Sequence, residues 1–136
     1  MPLRIEQIKY IKKMYNKNNI FYKIIHKEIP ATIIYEDEKI LAFNDINKAA
    51  PIHVLIIPKK EYINHSDFIE KASNDDIAYF FKKTNEIIKS LNIENDSYRI
   101  ISNIGPDANQ TIFHYHIHIL GGQNLGPLIS SDNLLR

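Results

Sequence analysis

Apolar residues open the chain at Leu3, Ile5, Ile8, Ile11, Met14 and Tyr15, mostly three or four positions apart. That spacing lines one face of a helix. The segment reads as an extension packed or loosely docked on the rest of the domain, or as a basic helix lying on a membrane surface. Asn16-Lys17-Asn18-Asn19 breaks the pattern. Ile20, Phe21, Ile24, Ile25 and Ile29 then predict a short helix ending before Pro30, because a proline disfavours helical geometry in the residue ahead of it. Ile33-Ile34-Tyr35 and Ile40-Leu41-Ala42-Phe43 flank the polar turn Glu36-Asp37-Glu38-Lys39 and read as a β-hairpin. Ile52 to Ile57 is a third strand, with Pro51 and Pro58 at its ends, where a ladder tolerates them.

The clearest helical stripe is Ile77, Phe80, Phe81, Thr84, Ile87, Ile88 and Leu91. Ser73 or Asn74 can cap it, and Asp75 and Asp76 suit the positive end of its dipole. Tyr98 to Asn103 reads as a fourth strand, Gly105 to Gln110 as a turn-rich loop, and Phe113 to Leu120 as a fifth strand stopping at Gly121-Gly122. This order predicts an α+β domain, a mostly antiparallel five-stranded sheet with one long packed helix and one short one. The expected organisation is an extension over 1–19, a domain over 20–122 and a tail over 123–136.

Composition narrows the chemistry more than the fold. The 136 residues are 44% hydrophobic and 24% charged, an ordinary mix for one globular domain. A net charge of +1 with dispersed lysines gives no electrostatic case for nucleic acid or an acidic membrane surface. The lack of cysteine removes disulfides, thiolate nucleophiles and cysteine-ligated zinc together. The charged N-terminal stretch lacks the apolar core of a secretory signal, and no apolar run reaches the length of a membrane helix, about 18 residues. A cytoplasmic protein is expected.

Chemistry concentrates in His114-Tyr115-His116-Ile117-His118. On a strand these three histidines project from one face, about 7 Å apart at ~3.3 Å per residue, while Phe113, Tyr115, Ile117 and Ile119 turn to the core. Such a row can share a metal ion, or one imidazole can attack phosphorus while its neighbours bind phosphate oxygens. No Asp or Glu lies in the strand or beside it; the nearest upstream is Asp107. The loop ahead offers backbone N–H groups, the Gln110 amide and the Thr111 hydroxyl, which are donors for an anion. Phosphate chemistry is the favoured reading.

His114 to Leu120 resembles the signature of the histidine triad nucleotide-binding proteins. The likeness extends through Ile20 to Ile25, Glu28 to Ala31, Leu41 to Ile46, Ala50 to Lys60 and Asn103 to Thr111, covering roughly residues 20 to 122. It is strongest to the branch that hydrolyses purine nucleoside phosphoramidates and aminoacyl adenylates. The resemblance implies that His116 attacks the α-phosphate and carries a transient nucleotidyl group, one ring nitrogen keeping its lone pair while the other donates to a backbone carbonyl. It implies further that His118 contacts phosphate oxygens, His114 orders the site and His53 completes the cluster. Thr111 stands where the family commonly has a serine that assists the leaving group. Asn103, Asn109 and Gln110 are expected at ribose or phosphate, Asp45 at the ribose hydroxyls, and Ile20, Phe21, Phe43, Ile46 and Leu55 around the base. Phe21, Phe43 and Leu55 could equally be core, and Asp45 only a turn residue.

His26 and His65 lie outside the matched motifs and read as surface residues, and Lys59 and Lys60 as a solvated strand end. Asn19 and Tyr22 replace the Cys-x-x-Cys of some bacterial relatives, so no structural zinc is expected there. Asn109 replaces a common glycine. With no carboxylate beside the histidines and no cysteine in the chain, no catalytic metal is expected, and no cofactor. The resemblance implies a purine nucleotide substrate and a homodimer. A dinucleoside polyphosphate hydrolase, a nucleotide-binding regulator with weak catalysis and a metal-binding protein remain rivals.

Overall fold

A computed structural model describes residues 2, 4, 5 and 14–128 of the chain. The expected N-terminal helix falls largely on residues 6–13, and the end of the expected tail on 129–136, both outside the described residues. Among the described residues no helix is long and apolar enough to cross a membrane.

Five strands form one antiparallel sheet in the order β1-β2-β3-β5-β4: β1 is Ile33–Glu36, β2 Ile40–Asn44, β3 Ile52–Pro58, β4 Tyr98–Ile101 and β5 Ile117–Gly121. Helix α1 spans Ile20–Ile25, α2 His65–Lys71 and α3 Asn74–Ser90. The hairpin turn is built on Asp37, whose carboxylate accepts from the Lys39 and Ile40 N–H groups at 2.7 and 2.8 Å and from the hydroxyls of Tyr35 and Tyr79. One acidic residue thus closes the turn and ties it to α3.

The central strands are buried on both faces. Ile40, Ala42, Val54, Ile56, Ile117 and Ile119 pack with Phe80, Ile87 and Ile88 of α3, while Leu41, Phe43, Leu55 and Ile57 pack with Phe21 and Ile24 of α1. Period-two alternation on paired strands produces these two clusters. Of the predicted caps of α3, Ser73 serves, its Oγ accepting from the Asp76 N–H at 3.1 Å. Phe81 departs from the expected stripe and is exposed at its edge.

Helix α2 is not among the elements that the apolar pattern predicts. It is held by a reciprocal cap in which Asn64 Oδ1 accepts from Asp67 N and Asp67 Oδ2 accepts from Ile63 N. This helix places His65 Nδ1 3.2 Å from the Tyr115 hydroxyl, so His65 is a partner of the core tyrosine rather than a plain surface residue. His26 is exposed and packs on Tyr22. Lys59 is partly buried and paired with Glu36 at 2.8 Å rather than simply solvated, whereas Lys60 is solvent-exposed, 3.6 Å from Asp76.

Two strands are shorter than predicted. The β4 ladder ends at Ile101 rather than Asn103, and β5 begins at Ile117 rather than Phe113. Antiparallel register would set Tyr115 against Pro58, which has no N–H to give, and the Pro58 carbonyl is occupied by the His114 ring. The Tyr115 N–H turns instead to the Tyr62 carbonyl. Tyr115 still enters the core beside α3, but Phe113 does not; it is 46% exposed.

Candidate active site

β3 and β5 lie side by side, with His53 opposite Leu120 and Leu55 opposite His118. His53 and His118 are therefore diagonal neighbours on the sheet face away from α3. The ladder ends before His116 and His114, yet Tyr115 keeps its place in the opposite cluster, so the histidines keep theirs. The rings lean together more than an ideal strand allows: His116 and His118 have centroids 5.1 Å apart.

Hydrogen bonds decide which nitrogen of each ring carries the proton. Pro58 O lies 2.7 Å from His114 Nε2, and a carbonyl only accepts, so His114 is protonated on Nε2. His114 O lies 2.7 Å from His116 Nδ1, which must donate, and His116 Nε2 keeps its lone pair. Ala49 N–H donates to His53 Nδ1 at 3.0 Å, placing the His53 proton on Nε2. That proton is directed at His118 Nδ1, 2.9 Å away. A neutral His118 then carries its own proton on Nε2. The row presents a nucleophilic nitrogen at His116 beside a donor at His118.

Burial keeps the rings neutral, because the charged form loses its hydration. It depresses the pKa of His116, opposed by the His114 carbonyl and the charge of Asp45. His118 is pushed down to about 4 by burial and by repulsion from His116 and His53. His53 is lowered by burial, with Asp45 opposing. His114, fully buried, is pushed down to about 4, chiefly by burial. A base with a depressed folded pKa contributes stability that is complete above its ordinary value of 6.5 and is lost as pH falls toward 4. Urea unfolding at pH 4.5 should therefore show His114 costing roughly 2–3 kcal/mol relative to pH 7. His114→Gln should lose correspondingly less between the two pH values; equal losses would contradict a neutral buried His114.

His116 and His118 line a cleft of about 380 Å³ between α1, the β2–β3 turn and the loop ahead of His114. Phe21, Phe43 and Leu55 are buried core residues that also form its apolar wall, so both readings of them hold. The Phe21 ring stands edge-on to His116, centroids 4.9 Å apart. Ile20 and Ile46 reach the cleft from the rim, Ile46 with 87% of its surface exposed. Asp45 lines it too, and is also the turn residue of the rival reading: its Oδ1 accepts from Asn47 N at 2.8 Å. Asn103, Asn109 and Thr111 line the opposite side.

His114 and His53 sit behind the cleft and orient the rings that line it. One expectation changes. Gln110 lines the cleft, but both of its amide hydrogens are spent on the carbonyls of Ile63 and Ile112, and its oxygen accepts from Gly105 N. It braces the loop rather than offering a phosphate donor. Within that loop Gly105 has φ 81°, which favours glycine. Asn109 has φ 59°, a left-handed geometry that asparagine accepts better than most residues.

A carboxylate also stands nearer than its sequence position indicated, with Asp45 Oδ2 3.4 Å from His53 Nε2. Asp45, His53 and His118 each offer a ligand atom within 4.8 Å of the others, close enough to share a metal. The donor set does not fit one. A metal on His53 Nε2 would force the proton onto Nδ1, facing the Ala49 N–H that this nitrogen now accepts. Asn19 caps α1, its side-chain oxygen accepting from the Tyr22 N–H at 2.8 Å.

An α+β fold with alternating histidines over an apolar-walled cleft defines a histidine-triad class of protein. Residues 26–125 match the HIT domain family, and the chain belongs to it. It is 52% identical over 120 residues to an uncharacterised HIT-like protein of Rickettsia prowazekii, covering 88% of this chain and all of that one. A 14 kDa zinc-binding protein of Zea mays is 40% identical over 116 residues, covering 85% of this chain and 90% of its own. Among solved structures, a HIT family hydrolase of Clostridium thermocellum superposes with a TM-score of 0.72 at 43% identity, over 84% of this chain and 98% of that one.

Proposed function

We propose that this chain is a hydrolase acting at the α-phosphate of purine nucleoside phosphoramidates or aminoacyl adenylates, with His116 as nucleophile. One observation carries the reading: His116 Nδ1 is committed to the His114 carbonyl, leaving the Nε2 lone pair on a ring that lines the cleft. For a phosphoramidate, His116 Nε2 bonds to phosphorus as the P–N bond to the leaving amine breaks. The amine takes a proton from solvent by way of the Thr111 hydroxyl. The adduct is an imidazolium whose remaining N–H points at the His114 carbonyl, which stabilises it. The His118 Nε2–H donates to a phosphate oxygen, where charge accumulates. Water then attacks phosphorus, the P–N bond to His116 breaks, and a proton returns to solvent.

The 43% identity to a HIT family hydrolase supports hydrolysis as the reaction class. The zinc-binding name of the Zea mays relative favours a metal, but the hydrogen bond from Ala49 to His53 weighs against it here. Cytoplasmic location belongs to the same proposal, and so does a homodimer. Edge strand β4, with Tyr98 and Ile100 exposed, is the face a second copy would cover. Comparing turnover of adenosine phosphoramidate with that of diadenosine polyphosphates tests the substrate class; faster cleavage of the polyphosphates would overturn it. Activity should persist in excess chelator, and loss of activity restored by zinc would reverse the metal assignment.

Asp45 is the proposed ribose acceptor. Calorimetry with AMP should show Asp45→Ala losing about 1.5–3 kcal/mol of affinity, the range for hydrogen bonds to a charged group. Unchanged affinity in a folded variant would remove the ribose role.

A further inference from the structure

The sequence pattern treats Tyr15 as one apolar position of an N-terminal extension, ahead of the region that matches the family. In the fold its hydroxyl lies 2.6 Å from His114 Nδ1. His114 is fully buried, and its Nε2–H is committed to Pro58 O, so Nδ1 presents a lone pair that no water reaches. A buried acceptor without a donor is costly. Burial raises the Tyr15 pKa above its ordinary value, so the hydroxyl keeps its proton and donates. The ring is thereby held from two sides, by the end of β3 and by the extension. The same residue supplies the carbonyl 2.7 Å from His116 Nδ1.

We infer that Tyr15 is a positioning residue for the nucleophile: its hydroxyl pins the His114 ring so that the His114 carbonyl holds the Nδ1 proton of His116. The inference rests on the reading of His116 as nucleophile. The chain of contacts runs Tyr15 O–H to His114 Nδ1, His114 Nε2–H to Pro58 O, and His116 Nδ1–H to His114 O. Without the hydroxyl, His114 Nδ1 is an unmet acceptor, and the ring gains by tipping or by admitting water. Either movement shifts the adjoining carbonyl and loosens the aim of His116. The aromatic body of Tyr15 packs separately, edge-on to His114 at 5.5 Å between centroids and against Tyr22 at 6.3 Å. Tyr15→Phe therefore removes the hydrogen bond while keeping the packing.

The test uses the full chain and Tyr15→Phe, with thermal melting as a check that the variant is folded. With adenosine phosphoramidate, kcat should fall about tenfold and KM should stay within about twofold, the pattern of a misaimed group rather than a lost binding contact. In nitrogen-15 spectra of histidine-labelled protein, His114 Nδ1 should lose its hydrogen-bonded shift, and the His116 Nδ1 proton should move upfield and exchange faster. An unchanged kcat, with or without a shifted resonance, overturns the inference. So does a raised KM at constant kcat, which would place Tyr15 on substrate binding. If the wild-type protein turns over no nucleotide substrate, the functional reading fails while the spectra still decide whether Tyr15 governs His116.

Discussion

Alanine in place of His116 is expected to lower turnover of an adenosine phosphoramidate by about 10³-fold or more while leaving AMP affinity within severalfold. Among the described residues, the ring supplies the only uncommitted imidazole lone pair on the cleft wall, since His118 Nδ1 accepts from His53 and His118 Nε2 is protonated. Among the described residues that line the cleft, no other side chain offers a neutral nitrogen nucleophile. Binding should survive because Asp45 and the apolar wall of Phe21, Phe43 and Leu55 are untouched. The fold should survive as well, the ring being packed mainly against Phe21 and His118. Steady-state kinetics beside AMP calorimetry separate the two effects. A variant that keeps near wild-type kcat would remove His116 from the chemistry.

His118→Ala carries the second-largest expected effect, about 10²-fold in kcat, the usual cost of removing one preorganised donor to a developing oxyanion. The donor's tautomer depends on two residues behind the cleft, Ala49 through its N–H and His53 through its ring. The variant still holds its nucleophile, so the residual rate should exceed that of His116→Ala by at least an order of magnitude. A loss that falls on KM alone would make His118 a ground-state contact. Equal losses in the two variants would indicate that the histidines act as one unit.

Much of this arrangement is legible before any coordinates. Period-two alternation places His114, His116 and His118 opposite Tyr115, Ile117 and Ile119, and this survives even though the ladder stops at Ile117. The early stop is not legible, because it depends on Pro58 facing that register with its carbonyl already taken by the His114 ring. The role of Asp45 illustrates the same limit. No carboxylate flanks the histidines in sequence, yet pairing of Asn44 with Val54 carries Asp45 to within 3.4 Å of His53.

Residues that act through others leave the weakest trace in the sequence. Tyr15 reads as part of an apolar stripe, and its partner His114 lies 99 positions away. Gln110 reads as a donor for phosphate, but its amide closes the loop against Ile63 and Gly105. Helix α2 does leave a signal, since Asn64 followed three residues later by Asp67 is a capping pattern. Its apolar content is too small to stand out by periodicity. The left-handed conformation of Asn109 is likewise a feature that asparagine tolerates but that periodicity does not announce.

The central claim is a covalent bond between His116 Nε2 and the α-phosphorus, and trapping that bond tests it most directly. Rapid quenching of wild-type enzyme with a labelled adenosine phosphoramidate, followed by proteolysis and mass spectrometry, should find the nucleotidyl group on His116. The adduct should be absent in His116→Ala and should persist, forming more slowly, in His118→Ala. A nucleotidyl group on His114 or His118, or turnover in which no adduct forms on any histidine, would contradict the account.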